Sequence, residues 1–240
     1  MRTIGIIGGM SWESSALYYQ WINRGVRDRC GSLHSARLLL DSLDFSRIAQ
    51  WQREGDWAAA GEALAASARR LEAAGAECIV LATNTMHKVA DAVSRATPLP
   101  FIHIADPTGN AIRQRGMDKV LLLGTAFTMN EDFYRSRLQN RYGVQCLLPD
   151  ENERAEVHRI IYEELCAGVI LDASRGIYRD IVVSAQARGA QAVILGCTEI
   201  GLLLKQEDSP VPLFDTAAWH AEAAVMFALG DEDGLPAGAD

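Results

Sequence analysis

An internal repeat constrains this 240-residue chain more than any other feature. The segment GAECIVLATNT at residues 75–85 is similar to GAQAVILGCTE at residues 189–199, at an offset of 114 residues. Each copy runs from a Gly-Ala turn through an apolar stretch into small polar residues. Such a run between helical patterns is typical of a buried parallel strand whose carboxyl end opens into a loop.

Two further pairs of segments repeat in the same order. Residues 3–8 correspond to residues 119–124, and residues 97–100 correspond to residues 209–212, at offsets of 116 and 112 residues. Three paired landmarks indicate two copies of one α/β unit. We therefore predict an α/β protein of two pseudo-twofold-related lobes, each a parallel sheet flanked by helices, with the active site in the cleft between them.

The repeat also predicts where the lobes begin and end. We place the first lobe at residues 1–104 plus 216–230 and the second at residues 105–215. The apolar segment 216–229 is predicted to be a helix that packs back on the first lobe. Residues 231–240 are acidic with Gly and Pro, which predicts a flexible tail.

Periodicity and breaker residues predict the individual elements. The predicted strands are 4–7, 36–40, 79–82, 101–104, 120–123, 144–147 and 193–195. The predicted helices are 11–30, 55–74, one starting at 84–87, 130–141, 151–167, 173–188, 200–204 and 216–229. Ligands of such folds bind at the carboxyl ends of the strands. The residues predicted to lie there are Met10, Asp44, Thr83, Thr125 and Cys197.

Composition excludes several classes of protein. A net charge of −8 argues against a nucleic-acid or anionic-membrane partner, and no apolar run approaches bilayer length. The five cysteines form no CxxC pair and no metal-type spacing. Neither a disulfide framework nor a metal site is therefore expected. The chain opens directly into a strand without a signal segment, so we expect a cytoplasmic protein.

Cys197 is the strongest candidate for chemistry. It follows Gly196 and precedes a helix predicted to begin near Thr198. Unpaired amides and the positive end of a helix lower the pKa of a thiol, which predicts a thiolate that removes a proton or attacks an electrophile. The alternative is a buried structural cysteine. We adopt that alternative for the other cysteines, Cys30, Cys78, Cys146 and Cys166.

Thr83 occupies the position equivalent to Cys197 in the first copy. An alcohol is a far poorer acid or base than a thiol, so it needs a partner or a bound water. His87 stands four residues later and can share a helix face with Thr83. Two structural alternatives stay open: the hydroxyl of Thr83 caps the following helix, and His87 only packs or caps.

Three segments resemble the signatures of the aspartate/glutamate racemase family. They are GGM at residues 8–10, TNTMH at residues 83–87 and GCTE at residues 196–199, and the resemblance extends over about residues 2–229. The resemblance implies a homodimeric racemase that needs no cofactor, pyridoxal phosphate included. It also implies that Thr83 and Cys197 flank the α-carbon of the substrate as the two proton-transfer groups.

The sequence departs from the family pattern in two places. Where two-cysteine members read Cys-Asn-Thr, this chain has Thr83, as the L-aspartate/glutamate-specific subgroup does. Aspartate-specific members carry a lysine where this chain has Cys166, and they use it to hold the side-chain carboxylate. The resemblance therefore implies aspartate or glutamate as the substrate and leaves the choice between them open.

An acidic amino acid needs a binding group for each carboxylate. We expect Asn84, Thr85 and Thr198 to bind the α-carboxylate. Arg47, predicted on the loop after the second strand, is the candidate for the side-chain carboxylate, with Gln52 as a neutral alternative. Glu199 is expected either to accept a hydrogen bond from the ammonium group or only to favour its helix N-terminus. The weaker candidates for the binding site are Met10, Thr125 and Thr128.

Three competing functions stay open. A nucleotide-binding enzyme is disfavoured because residues 5–9, GIIGG, do not match GxGxxG. Other reactions of the same superfamily, by a hydantoin racemase, a maleate isomerase or a decarboxylase, need only a single cysteine. A non-catalytic protein that binds an acidic amino acid would use Cys197 only for packing.

Overall fold

The computed structural model describes residues 1–231. It divides the chain into two compact units, Met1–Pro107 with the segment from Ala217 onward, and Thr108–Thr216. The predicted tail, residues 231–240, lies outside the described residues except for Asp231. No helix within residues 1–231 combines the length and apolarity needed to cross a bilayer.

The secondary structure alternates strands and helices throughout. The first half of the chain contains β1 (Ile4–Gly8), α1 (Trp12–Cys30), β2 (Leu38–Ser42), α2 (Phe45–Glu54), α3 (Trp57–Ala73), β3 (Cys78–Leu81), α4 (Ala90–Ala96), β4 (Phe101–Ile102) and α5 (Ala105–Gln114). The second half contains β5 (Lys119–Gly124), α6 (Ala126–Asn130), α7 (Asp132–Tyr142), β6 (Gln145–Leu147), α8 (Glu151–Glu163), α9 (Asp172–Ala187), β7 (Ala192–Gly196), α10 (Ile200–Leu203), β8 (Leu213–Asp215) and α11 (Thr216–Leu229). Short 3₁₀ helices cover Thr85–Val89, Leu165–Ala167 and Gln206–Asp208.

Each unit contains one four-stranded sheet, and the two sheets have the same topology. Their strand orders are β2-β1-β3-β4 and β6-β5-β7-β8, with every neighbouring pair parallel. The registers also correspond, since Ile4 pairs with Cys78 in the first sheet and Val120 pairs with Ala192 in the second. The predicted duplication of a parallel α/β unit is therefore confirmed.

The central strands β1, β3, β5 and β7 are buried on both faces, as the apolar runs predict. In β3, Cys78 and Val80 contact the apolar cluster built with α1 and α11. Ile79 and Leu81 contact the opposite cluster, built with α2 and α3. This alternation follows from the two-residue period of a strand, and helices on both faces exclude water from the sheet.

Several elements differ from the sequence prediction. Helix α2 was missed because Gly55, a left-handed C-cap at φ 74°, was read as the start of the next helix. Helix α5 was not predicted either. Pro107 lies in the first turn of α5, where the missing N–H of a proline costs nothing. Strand β4 has two residues instead of the predicted four. The predicted helix at residues 130–141 corresponds to α7, and the short helix α6 that precedes it was not predicted.

Candidate active site

Small polar residues follow the strands of both sheets, as predicted. Met10, Asp44 and Thr83 stand two residues after β1, β2 and β3, while Thr125 and Cys197 directly follow β5 and β7. Parallel strands end at one edge of their sheet. The first three residues therefore share an edge in the first unit, and the last two share the equivalent edge in the second.

The backbone of Thr83 is held on both sides. Its N–H donates to the Leu81 carbonyl at 2.8 Å, which closes a tight turn around Ala82, and its carbonyl accepts from His87 Nδ1 at 2.7 Å. The side chain is half-buried, and no described residue of its own unit hydrogen-bonds to the Thr83 hydroxyl. The alternative in which this hydroxyl caps the following helix has no hydrogen bond to support it, and the hydroxyl is left available to a ligand.

His87 contacts the peptide of Thr83, not its hydroxyl. The Ile104 N–H donates to His87 Nε2 at 3.1 Å, while Nδ1 faces the Thr83 carbonyl. Since an amide N–H only donates and a carbonyl only accepts, the ring is neutral with its proton on Nδ1. Both ring nitrogens are thereby engaged, so His87 is no general base for the hydroxyl of Thr83.

Asn84 and Thr85 follow Thr83 at the start of the 3₁₀ helix Thr85–Val89, where an α-helix start was predicted. Both residues are buried beside Thr83. Their position next to a candidate reactive group keeps them as candidates for binding a carboxylate.

The other first-unit candidates separate into buried and exposed residues. Gln52 is buried, and its Nε2 donates to the sulfur of Met86 at 3.0 Å. Met10 is buried in the same apolar cluster as Met86. Arg47 lies in the first turn of α2, which corrects the predicted loop placement. Its guanidinium is exposed and stacks 5.0 Å from the ring centroid of Trp51.

Gly9 fixes the loop that carries Met10. Its φ is 86°, and a Cβ there would lie 2.1 Å from the carbonyl oxygen of Leu43. Only glycine permits the loops after β1 and β2 to approach so closely.

Cys197 in the second unit is placed by a similar close approach of backbones. Gly196 pairs with Gly124 at the ends of β7 and β5, and a Cβ on Gly196 would lie 2.8 Å from the Leu123 carbonyl oxygen. Cys197 itself is half-buried and packs against the apolar core of its unit.

The thiol of Cys197 donates to a carboxylate. Its Sγ lies 3.0 Å from Glu199 Oε2, and Thr198 Oγ1 donates to the same oxygen at 2.7 Å. The helix that follows, α10, has only four residues. Glu199 is thus a direct partner of the thiol, a contact that neither of its two expected roles included.

The predicted lowering of the Cys197 pKa is also wrong. Burial raises the pKa of the Cys197 thiol well above its ordinary value, and the charge of Glu199 raises it further, as does the hydrogen bond to that carboxylate. The backbone N–H of Glu199 acts in the opposite direction but does not reverse the shift. The resting group is therefore a thiol with a proton acceptor at hydrogen-bond distance.

Thr125 has a local structural role. Its hydroxyl caps α6 by accepting from the Thr128 N–H at 3.3 Å, and the two threonine hydroxyls lie 3.2 Å apart. Both side chains are buried. The capping bond explains Thr125 without a ligand, so it is the weakest of the candidates.

Sequence analysis missed a buried histidine cluster in the first unit. The rings of His103 and His220 lie 4.4 Å and 5.9 Å from the ring of His87, measured between centroids. His220 Nε2 donates to the Ile102 carbonyl at 2.6 Å, and its Nδ1 is paired with the Tyr18 hydroxyl at 2.9 Å. The available signal was a single histidine inside the apolar segment 216–229. No group of acidic, histidine or cysteine residues among residues 1–231 has metal-site geometry.

The His220 ring predicts acid sensitivity. Burial lowers its pKa to about 4, although the Ile102 hydrogen bond and the Asp106 charge oppose the shift. An unfolded histidine takes up a proton near pH 6.5, so folding is favoured above that pH and loses stability as the pH falls towards 4. We expect a loss of about 3 kcal/mol of unfolding free energy from this group, absent in His220→Gln. Urea denaturation at pH 6.5 and at pH 4 measures this loss, and His34→Gln, at an exposed histidine, is the control. An identical pH dependence in His220→Gln and wild type would contradict it.

Two parallel sheets of one topology define a duplicated α/β protein. Its candidate reactive groups, a hydroxyl and a thiol bonded to a carboxylate, follow the equivalent strands β3 and β7. A model of the Asp/Glu/hydantoin racemase family matches residues 7–224. The chain belongs to this family and is an isomerase of the racemase class.

Individual relatives agree with the family. The chain is 51% identical to a candidate Asp/Glu racemase from Yersinia pestis, with a TM-score of 0.91 over 95% of this chain and 100% of that one. It is 38% identical to an aspartate racemase homologue from Pyrococcus horikoshii OT3, with a TM-score of 0.84 and the same two shares covered. It is 23% identical over 234 residues to the broad specificity amino-acid racemase RacX of Bacillus subtilis strain 168, spanning 92% of this chain and 96% of that protein.

Proposed function

We propose that the protein racemises aspartate and glutamate without a cofactor, by proton transfer on opposite faces of the α-carbon. The observation that carries the proposal is the unlike pair of groups after the equivalent strands β3 and β7. Cys197 holds its proton against the carboxylate of Glu199, while the hydroxyl of Thr83 has no partner in its unit among the described residues. The two side chains are proposed to face the substrate from opposite lobes.

The Cys197 side works as an acid–base pair. The thiol passes its proton to Glu199, and the resulting thiolate removes the α-proton of one enantiomer. In the reverse direction the thiol donates its proton to the planar carbanion, and the thiolate that is left regains a proton from solvent by way of Glu199. The raised pKa keeps the resting group protonated, as a donor to the carbanion requires, and it makes the thiolate a strong base once formed.

The Thr83 side delivers the second proton. The hydroxyl donates to the opposite face of the carbanion and regains a proton from a water, and the hydroxide that is left is neutralised by the proton held on Glu199. An alcohol releases and accepts protons far less readily than a thiol, so the two directions of reaction are unequal. We infer that the enantiomer whose α-proton faces Cys197 is the better substrate.

Carboxylate recognition is assigned to residues beside the two reactive groups. Asn84, Thr85 and Thr198 are proposed to bind the α-carboxylate, and Arg47 the side-chain carboxylate. The cation of Arg47 is exposed and oriented by stacking on Trp51, which keeps it available to an anion. Gln52 is a weaker candidate because its amide is engaged by Met86.

A broader amino-acid specificity is the second candidate. Cys166, exposed after the end of α8, cannot supply the positive charge that aspartate-specific members have at this position. The relative from Bacillus subtilis is named for broad specificity. We further propose a homodimer in the cytoplasm, and sedimentation of the purified protein tests the oligomeric state.

Incubation in heavy water tests the proposed function. The protein is mixed with each enantiomer of aspartate, glutamate and a panel of neutral amino acids, without added cofactor. Exchange of the α-proton together with loss of optical rotation supports racemisation. Absence of exchange for every amino acid would favour a binding protein, and turnover of maleate or a hydantoin would favour another reaction of the superfamily.

Replacing Glu199 by glutamine separates its two effects on Cys197. The negative charge that disfavours the thiolate is removed, so Cys197 is expected to ionise at lower pH and to alkylate faster at pH 8. Turnover is expected to fall by about 10²-fold, because an amide cannot take the thiol proton. Iodoacetamide labelling of the Cys197 peptide, quantified by mass spectrometry, measures the first effect. Glu207→Gln, at an exposed position of the same unit, is the control. An unchanged labelling profile in Glu199→Gln would refute the coupling.

A further inference from the structure

The two reactive positions are anchored by different means, although they belong to equivalent repeats. The carbonyl of Thr83 accepts from the side chain of His87 at 2.7 Å. The carbonyl of Cys197 accepts from the backbone N–H of Ile200 at 3.2 Å. The residue equivalent to His87, at the repeat offset of 114, is Gly201, which has no side chain to make such a bond.

His87 links Thr83 to the next strand of the sheet. Its ring accepts from the Ile104 N–H just after β4 and donates to the Thr83 carbonyl just after β3. The two bonds need the Nδ1–H tautomer, and they lock the orientation of the ring. The peptide that leaves Thr83 is thereby tied to a neighbouring strand instead of only to its own short turn.

Aromatic packing holds the ring in place. The rings of Phe101, His103 and His220 lie 5.6 Å, 4.4 Å and 5.9 Å from the ring of His87, measured between centroids. His87 is 3% exposed, so it makes no direct contact with solvent that would explain its presence. A buried polar ring with both nitrogens bonded across two strands is a costly arrangement for packing alone.

We propose that His87 is a positioning residue that aims the Thr83 hydroxyl at the α-carbon by fixing the Thr83 peptide through its Nδ1–H. This inference rests on the proposed function, since it assumes that Thr83 transfers a proton. The second lobe needs no such device, because a thiol on a longer C–S bond with its own carboxylate partner tolerates a less rigid backbone.

The test replaces the imidazole by an aromatic ring that cannot form hydrogen bonds. His87→Phe removes both hydrogen bonds, and a displacement of about 1 Å at a reacting group lowers a rate by about 10²-fold. We expect kcat for racemisation to fall by about 10- to 100-fold with KM changed by less than about threefold. Exchange of the α-proton on the Cys197 face, measured in heavy water, is expected to fall far less than racemisation. A loss of folded protein would lower both rates equally.

Two variants complete the design. His87→Asn keeps an N–H donor one bond from Cγ, as in Nδ1–H, and is expected to recover most of the rate lost in His87→Phe. His34→Phe makes the same change at an exposed histidine of the same unit. It is expected to keep the wild-type kcat. Equal kcat in His87→Phe and wild type, with Thr83→Ala inactive, would overturn the positioning role and leave the proposed function standing.

The tautomer provides a readout that does not depend on activity. Long-range ¹H–¹⁵N correlation spectra of the histidine rings distinguish Nδ1–H from Nε2–H. The Nδ1–H form of His87 supports the bond to Thr83, and the Nε2–H form overturns it. A wild-type protein with the Nδ1–H form but no exchange with any substrate would overturn the proposed function, and the catalytic part of this inference with it.

Discussion

Cys197→Ser is expected to lower racemisation of both enantiomers by at least about 10³-fold, the upper part of the range for a lost acid–base group. Both directions of reaction pass through the sulfur, as base in one and as acid in the other. A serine hydroxyl can still donate to Glu199, but it does not ionise in the accessible pH range. The change is small in volume, so the core that surrounds Cys197 is expected to persist. Chiral chromatography of each enantiomer against time measures the loss.

Cys30→Ser is the matched control for this prediction. Cys30 is exposed at the end of α1, in the first unit, and its replacement is expected to leave racemisation unchanged. Substantial racemisation by Cys197→Ser would remove the thiol from the mechanism. Loss of activity in both variants would point to a general sensitivity to cysteine replacement and not to proton transfer.

Thr83→Ala is expected to separate exchange from inversion. Without the hydroxyl, the carbanion formed on the Cys197 side can only be reprotonated from that side. Racemisation is expected to fall by about 10²- to 10⁴-fold. Solvent deuterium should still enter the enantiomer whose α-proton faces Cys197, with retention of configuration. Proton NMR of both enantiomers in heavy water measures exchange and inversion together.

Two threonine variants control the Thr83 experiment. Thr83→Ser keeps the hydroxyl and is expected to keep most of the activity. Thr97→Ala removes a buried threonine whose hydroxyl accepts from the Leu99 N–H, and it should affect stability only. If Thr83→Ala racemises at the wild-type rate, a water molecule and not Thr83 supplies the second proton.

The repeat made the fold of this chain predictable. The apolar runs before Thr83 and Cys197 predicted β3 and β7, and the equivalent runs at residues 3–8 and 119–124 predicted β1 and β5. Strands buried on both faces leave a continuous apolar signature that local reasoning detects well. Helix α2 escaped because polar residues outnumber apolar ones in it, and its anchor, Ile48, is recognisable only beside α3 and β3.

The electrostatics of the site were not predictable in the same way. A thiol before a helix was expected to have a lowered pKa, and the opposite was found. The helix α10 is short, the sulfur is buried, and the carboxylate of Glu199 folds back on it. Rotamers and burial decide such a balance, and neither is encoded in residue spacing.

The sequence by itself determined the duplication, the parallel sheets, and the placement of a hydroxyl and a thiol after equivalent strands, because these follow from apolar periodicity and repeated residue order. Only the tertiary structure decided that Glu199 accepts a hydrogen bond from Cys197, that His87 donates one to the Thr83 carbonyl and that His220 is a buried neutral ring. Each of these contacts joins a side chain to a group that comes within reach only through the path of the folded chain or the choice of a rotamer. Their strength depends on the exclusion of water, which folding brings about.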